Sequence, residues 1–217
     1  MTTQEKITEL DKIAEEIKAF KGLDIAKNCT RAVPGEGNPD ADIFFCGEGP
    51  GYHEDQQGRP FVGQAGKLLE KSLQSIGLQR SDVFITNVVK YRPPENRDPF
   101  PNEIEACRDW LDRQIAVIEP KIIATLGRFS MAKFIPDVSI SRVHGLSRFV
   151  DFQISNFKFQ IIVFPMYHPA AALRAGQVMT SFIEDFNKLK RLLHPQTLPV
   201  EVISPPPSVV QKSLFNL

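Results

Sequence analysis

No run of apolar residues in this chain approaches the ~18 that a membrane span requires. The N-terminus, Met1-Thr2-Thr3-Gln4-Glu5, lacks the basic-then-apolar order of a secretory signal. The sequence therefore reads as that of a cytoplasmic protein. Cysteine is scarce: Cys29, Cys46 and Cys107 lie far apart, form no Cys-x-x-Cys, and are odd in number, which argues against a disulfide framework. The four histidines, His53, His144, His168 and His194, lack zinc-ligand spacing. Net charge is missing too, since 26 Lys+Arg balance 26 Asp+Glu. That balance excludes a coat-like nucleic-acid binder but permits an enzyme with a local basic patch. Two nucleotide signatures fail. Gly63-Gln64-Ala65-Gly66-Lys67-Leu68 lacks the spacer and the Ser/Thr of a phosphate loop, and Gly47 to Gly51 lacks the Gly-x-Gly-x-x-Gly order. There is no internal repeat.

What is present fits one α/β domain of 217 residues with a large core. Apolar residues at Ile7, Leu10, Ile13, Ile17 and Phe20 predict a helix over Thr3–Phe20, with Thr2-x-x-Glu5 as its capping box. Short apolar runs predict strands at Asp42–Cys46, Val83–Thr86, Lys121–Leu126 and Phe159–Phe164. Helices are predicted over Gly66–Ile76, from Asn102-x-x-Glu105 to Pro120, from Gly127 to Phe134, and from a Ser181-x-x-Glu184 cap through Leu193. Nearly all-apolar strands alternating with helices predict a three-layer α/β/α fold with a central, mostly parallel sheet. This domain spans residues 1–194. From Pro195 periodicity vanishes and proline is dense, so 195–217 reads as a flexible tail.

In such sheets, sites form beyond the carboxyl ends of the strands. The first strand leads to Gly47-Glu48-Gly49-Pro50-Gly51-Tyr52-His53-Glu54-Asp55 and then Gly58-Arg59-Pro60-Phe61-Val62-Gly63. The second leads to Asn87-Val88-Val89-Lys90 and Arg92-Pro93-Pro94-Glu95-Asn96-Arg97, and the late strand to Tyr167-His168-Pro169. Carboxylates, amides, a phenylalanine and a histidine thus converge on one edge. Arg59, Lys90, Arg92, Arg97 and Arg174 lie among them and form a candidate basic patch. Each residue alone has a plainer reading. His168 or Glu54 alone is an ordinary capping or hydrogen-bonded group, Asn87 turn chemistry, and Phe61 core.

In order and spacing these loops resemble the uracil-DNA glycosylase superfamily, its family 4 most closely. Pro34 to Asp42, the Gly47–Gly63 loop, Asn87 to Pro94 and His168-Pro169-Ala170 carry the resemblance. It implies hydrolysis of the N-glycosidic bond of uracil in DNA, with no metal in the chemistry, by a monomer. It implies that Phe61 stacks on a flipped uracil, that Asn87 reads its edge and that Gly49 lies in the base site. It further implies that His168 donates to uracil O2 and that Glu48 positions or activates water. Glu54 and Asn96 are second candidates for the water. Leu173 and Arg174 match the loop that wedges into the duplex, and Ala170 stands where members often have serine. Two alternatives stay open: a glycosylase for another deaminated base, and an inactive module that binds uracil or DNA.

The chain departs from family 4 at its [4Fe–4S] cluster. The four cysteine positions fall on Phe20, Leu23, Tyr91 and Cys107, so the cluster is expected to be absent and the space to be filled by a hydrophobic plug. Finally, Gln211-Lys212-Ser213-Leu214-Phe215 in the tail resembles the peptide by which bacterial DNA enzymes dock on the sliding clamp. Gln211, Leu214 and Phe215 are the implied contact residues.

Overall fold

The computed structural model describes residues 1–154 and 157–193. The chain opens with helices α1 (Thr3–Ala19) and α2 (Asp24–Asn28), a two-residue strand β1 (Glu36–Gly37), and strand β2 (Ile43–Gly47). Helices α3 (Tyr52–Gln57) and α4 (Gln64–Ser75) lead to β3 (Phe84–Asn87), and α5 (Pro101–Ile118) leads to β4 (Ile122–Leu126). Short helices α6 (Arg128–Phe134) and α7 (Ile140–Val143) precede strands β5 (Arg148–Ile154) and β6 (Phe157–Met166). Helices α8 (Pro169–Ala172) and α9 (Gly176–Leu193) follow.

The strands form one sheet in the order β1-β3-β2-β4-β6-β5. The inner four are mutually parallel; β1 and β5 add antiparallel edges. Every residue of β2, β3 and β4 is buried, as a sheet covered on both faces requires. Alternation along the strands sorts the core. Phe45, Ile85, Ala124 and Phe164 pack under Leu69 and Leu73 of α4 and Phe182, Phe186 and Leu189 of α9. Phe44, Cys46, Phe84 and Ile123 face Leu111 and Ile115 of α5 and Met131 of α6 on the other side. The three-layer architecture is as the sequence predicts.

The capping box of α1 is present: the Glu5 N–H donates to Thr2 Oγ1 (3.3 Å) and the Thr2 N–H to Glu5 Oε2 (2.7 Å). Two helix starts are corrected. Helix α5 begins at Pro101, one residue early, because the Phe100 N–H donates to Glu103 Oε2 (2.7 Å) and proline suits a first helical position. Helix α9 begins at Gly176 rather than at Ser181, because Val178 and Met179 pack into the same core as Phe182 and extend the buried face by a turn. Strands β1 and β5 and the short helices α2, α3, α7 and α8 are additions. Strand β5 alternates an exposed Phe149 with a buried Phe152, and its pairing with β6 gives it a backbone partner.

Helix α1 packs on α5 through a third apolar cluster that contains Ile13, Ile17, Tyr91, Cys107 and Trp110, with Phe20 and Leu23 against it. Phe20 stacks on Tyr91 at 6.1 Å and meets Trp110 edge-on at 5.1 Å. The Tyr91 hydroxyl donates to the Ile17 carbonyl (2.7 Å). The positions that the family resemblance gives to cluster ligands therefore lie in one apolar cluster. Cys107 is the single thiol among them. Cys46 belongs to the neighbouring core cluster on the same, α5-covered face of the sheet, and Cys29, packed at the edge of this cluster, points its thiol at the Ala26 carbonyl (3.5 Å). Among the described residues no group of three or more His, Cys, Asp or Glu side chains is arranged to hold a metal. The donor set does not fit a four-thiolate cluster. No helix among the described residues is long and apolar enough to cross a membrane.

Candidate active site

Because β2, β3, β4 and β6 run parallel, their carboxyl ends share one edge. A cleft of about 590 Å³ opens there. Glu48, Gly49, Glu54, Phe61, Asn87, Asn96, Arg97, His168 and Arg174 all line it, so the sheet gathers residues far apart in the chain.

Gly47 and Asn87 are opposite partners in the β2–β3 ladder. A Cβ at Gly47 would collide with Asn87 Oδ1 and with the Phe61 ring, so only glycine leaves room for both. Asn87 is 1% exposed, and its Oδ1 has no hydrogen-bond partner among the described residues. A buried acceptor without a partner costs about 1–3 kcal/mol, and this one belongs to a residue that lines the cleft.

Phe61 is buried, with its ring 5.7 Å from that of His168. Its backbone is left-handed (φ 51°), a conformation that costs a non-glycine residue ~1–3 kcal/mol. The surroundings hold it there. Glu54 Oε1 accepts from the Val62 and Gly63 N–H groups (2.8 Å each). The Arg80 guanidinium donates to the Phe61 carbonyl (3.0 Å) and to the Pro60 carbonyl, and pairs with Glu36 (2.9 Å). A side chain on Gly66 would strike the Phe61 carbonyl. Arg80 was not singled out from sequence; it lies in a single helical turn between α4 and β3, and no motif signals it.

His168 caps α8: its Nδ1 accepts from the Ala170 N–H (3.1 Å). The proton of the neutral ring is therefore on Nε2. Burial, aided by the Arg174 charge, pulls its pKa down to about 4, so the ring is neutral at pH 7. The neighbouring Tyr167 ring lies 4.5 Å from His144, whose Nδ1 is 2.9 Å from the buried Asp185 carboxylate. Glu48 is half-buried. Burial, then the nearby Asp98 charge, raises its pKa, with Arg128 opposing.

The basic residues divide. Lys90 is corrected: it is 0% exposed and cannot touch DNA. Its ammonium donates to Thr86 Oγ1 (2.7 Å), the Asn87 carbonyl (2.9 Å) and Gln114 Oε1 (2.8 Å), and burial lowers its pKa to about 8. The three bonds explain why it turned inward: they tie the end of β3 to α5. Arg59 is exposed, paired with Glu36 through two bonds (2.7 and 2.9 Å), and outside the cleft lining. Arg97 lines the cleft while paired with Glu103 (2.7 and 2.9 Å). Arg92 donates to Asn96 Oδ1 (2.8 Å). Arg174 lines the cleft beside Leu173, which is 48% exposed. Arg128 also lines the cleft and pairs with Asp98, a cation that sequence reading missed because it lies after β4 in no motif.

Comparison with known proteins shows the family. The family model for the uracil DNA glycosylase superfamily matches residues 34–190. A type-4 uracil-DNA glycosylase of Sulfurisphaera tokodaii is 50% identical over 189 residues, 84% of this chain and 84% of that protein. A type-4 uracil-DNA glycosylase of Archaeoglobus fulgidus is 46% identical, covering 84% of this chain and 92% of its own length. One from Thermotoga maritima is 40% identical over 89% of this chain and 98% of its own. Similarity therefore extends across nearly all of the described residues, and the chain belongs to the uracil DNA glycosylase superfamily.

Proposed function

We propose that this protein removes uracil from DNA by hydrolysing the N-glycosidic bond and leaves an abasic site. The observation that carries the proposal is the buried Asn87 amide oxygen, without a partner among the described residues, beside the Phe61 ring and the neutral His168. The names of the relatives support the same chemistry.

Uracil in a base stack hides its glycosidic carbon, so the nucleotide must swing into the cleft. Phe61 stacks on the base. Asn87 Oδ1 accepts from uracil N3–H, and its amide N–H donates to O4. Cytosine offers the reverse pattern at that edge. As the C1′–N1 bond breaks, its electron pair passes into the ring and negative charge grows on O2. His168 Nε2–H donates there, and stabilising charge as it develops is a large catalytic term. Glu48 orients the water that bonds to C1′ and takes up its proton; its raised pKa makes it the stronger base. Glu54, whose Oε1 is already taken by two loop amides, positions Phe61. Asn96 stands at the rim as a second water contact. Arg92, Arg97 and Arg174 attract phosphate, with Arg59 further out, and Leu173 supplies the exposed apolar wedge.

The protein works without an iron–sulfur cluster, in keeping with the apolar side chains at Phe20, Leu23 and Tyr91. It acts as a monomer. The Gln211-Lys212-Ser213-Leu214-Phe215 segment, which lies outside the described residues, docks on a bacterial sliding clamp.

The test is release of uracil from a uracil-containing oligonucleotide, read by strand breakage in alkali, with and without excess chelator. Release is expected in both. Asn87→Ala and His168→Ala are each expected to lower kcat by about 10²-fold or more. Near-normal rates in both variants would overturn the assignment of the site.

A further inference from the structure

The reaction at the base leaves the buried ammonium of Lys90 without a task. Taking a cation out of water is costly, and apolar side chains could fill such a space without that cost. Its bonds are nevertheless complete, and they close a circuit. Lys90 donates to Thr86 Oγ1 and to Gln114 Oε1. Thr86 Oγ1 in turn donates to the Pro34 carbonyl (2.8 Å), and Gln114 Nε2 donates to the same carbonyl (2.9 Å). Strand β3, helix α5 and the segment before β1 are thereby joined through one charge.

The third Lys90 hydrogen goes to the Asn87 carbonyl and closes the turn Asn87-Val88-Val89-Lys90 on itself. The opposite side of that turn is fastened to the catalytic loop. The Val88 N–H donates to the Gly47 carbonyl (3.0 Å), and the Val89 N–H donates to the Glu48 carbonyl (3.1 Å). The Lys90 carbonyl accepts from the Val33 N–H (2.8 Å), and a side chain on Gly49 would collide with Val89. One turn thus carries the base-reading amide on its first residue and backs Glu48 through its third. Asn87 Oδ1 has no hydrogen-bond partner among the described residues, so its aim depends on the backbone behind it. A small misplacement of such a group is costly to a reaction that relies on geometry. We infer that Lys90 is a positioning residue: through the Thr86–Pro34–Gln114 circuit its ammonium fixes the Asn87 backbone, and so sets affinity for the base rather than for DNA. The inference rests on the uracil-excising reading above. It adds a residue that touches neither base nor phosphate.

The test compares Lys90→Met, Thr86→Val and Thr86→Ser with the parent in three measurements. These are kcat for uracil release, inhibition of that release by free uracil, and anisotropy with an oligonucleotide duplex that lacks uracil. Lys90→Met is expected to lower kcat about tenfold or more and to weaken inhibition by free uracil about fivefold or more. Its affinity for the uracil-free duplex should stay within about twofold of the parent, since no DNA contact is lost. Thr86→Val removes one acceptor of the ammonium and should shift both uracil readouts the same way, by less. Thr86→Ser keeps the hydroxyl and should restore parent values. A merely structural role would lower the melting temperature and the active fraction but leave the uracil inhibition constant alone. If Lys90→Met does not fold, the two Thr86 variants decide. Unchanged inhibition in the variants that fold, or an equal loss of affinity for the uracil-free duplex, would overturn the inference. If the parent releases no uracil, the functional reading fails by itself. Calorimetric titration with free uracil then decides the positioning role, since equal affinity in parent and variants, or none in any, would refute it.

Discussion

His168 shows how a single hydrogen bond sets the chemistry of a residue. With Nδ1 accepting from the Ala170 N–H, the ring can offer only Nε2–H to the cleft, and protonation at Nδ1 would break that bond. The folded pKa is lowered to about 4 from an ordinary 6.5. Between these values the unfolded chain binds more protons than the folded one, so stability is complete above pH 6.5 and is lost as pH falls toward 4. NMR titration of the His168 ring is expected to give a midpoint near 4. A midpoint near 6.5 would mean that the ring is solvated and not held as a neutral donor. Lys90 is the same lesson in reverse. Its spacing after Asn87 places it in a basic patch, but the structure puts its charge inside, where three neutral acceptors take its three hydrogens.

At the scale of elements, the segment before α4 is a clamp around a strained residue. Glu54, Arg80 and Glu36 are joined by hydrogen bonds to the backbone around Phe61 or to one another. Arg80→Ala removes charged hydrogen bonds worth about 1.5–3 kcal/mol each in favourable cases and frees Phe61 to relax. The variant is expected to melt lower and to lose kcat, and an unchanged kcat would show that the loop holds itself. The plug under α1 gives a second expectation. Tyr91 is 1% exposed, so Tyr91→Ala should cost about 3–5 kcal/mol in denaturant titration. Phe20 is only partly buried, and Phe20→Ala should cost less than that range. Purified protein is expected to be colourless, and stoichiometric iron and sulfide would refute the plug as a replacement for the cluster.

Over the whole molecule, the parallel sheet turns four separate loops into one cleft, and the balanced charge leaves DNA affinity to the rim. A chain that works briefly at scattered sites gains from a tether that raises its effective concentration near DNA. The segment from Gln211 to Phe215 is the tether proposed above. Truncation after Pro207 is expected to abolish pulldown by a bacterial clamp and to leave uracil release from short oligonucleotides unchanged. Equal clamp binding by full-length and truncated protein would end the tether proposal, and a melting temperature lowered by several degrees would mean that the tail folds back on the domain.

Local chemistry determined much of this protein by itself. Apolar runs of strand length, helical periodicity and the Thr2–Glu5 cap need only near neighbours, so the layers and most elements were legible in the sequence. The order of the loop motifs likewise brought Glu48, Phe61, Asn87 and His168 to one edge, because parallel strands share a direction. Tertiary contacts decided the rest. Strand β5 required β6 beside it, and the first turn of α9 required the core under Val178 and Met179. The inward turn of Lys90 required Gln114 from a distant helix, and the left-handed Phe61 required Arg80. Such features depend on partners far away in the chain, and no local pattern encodes which partner will arrive.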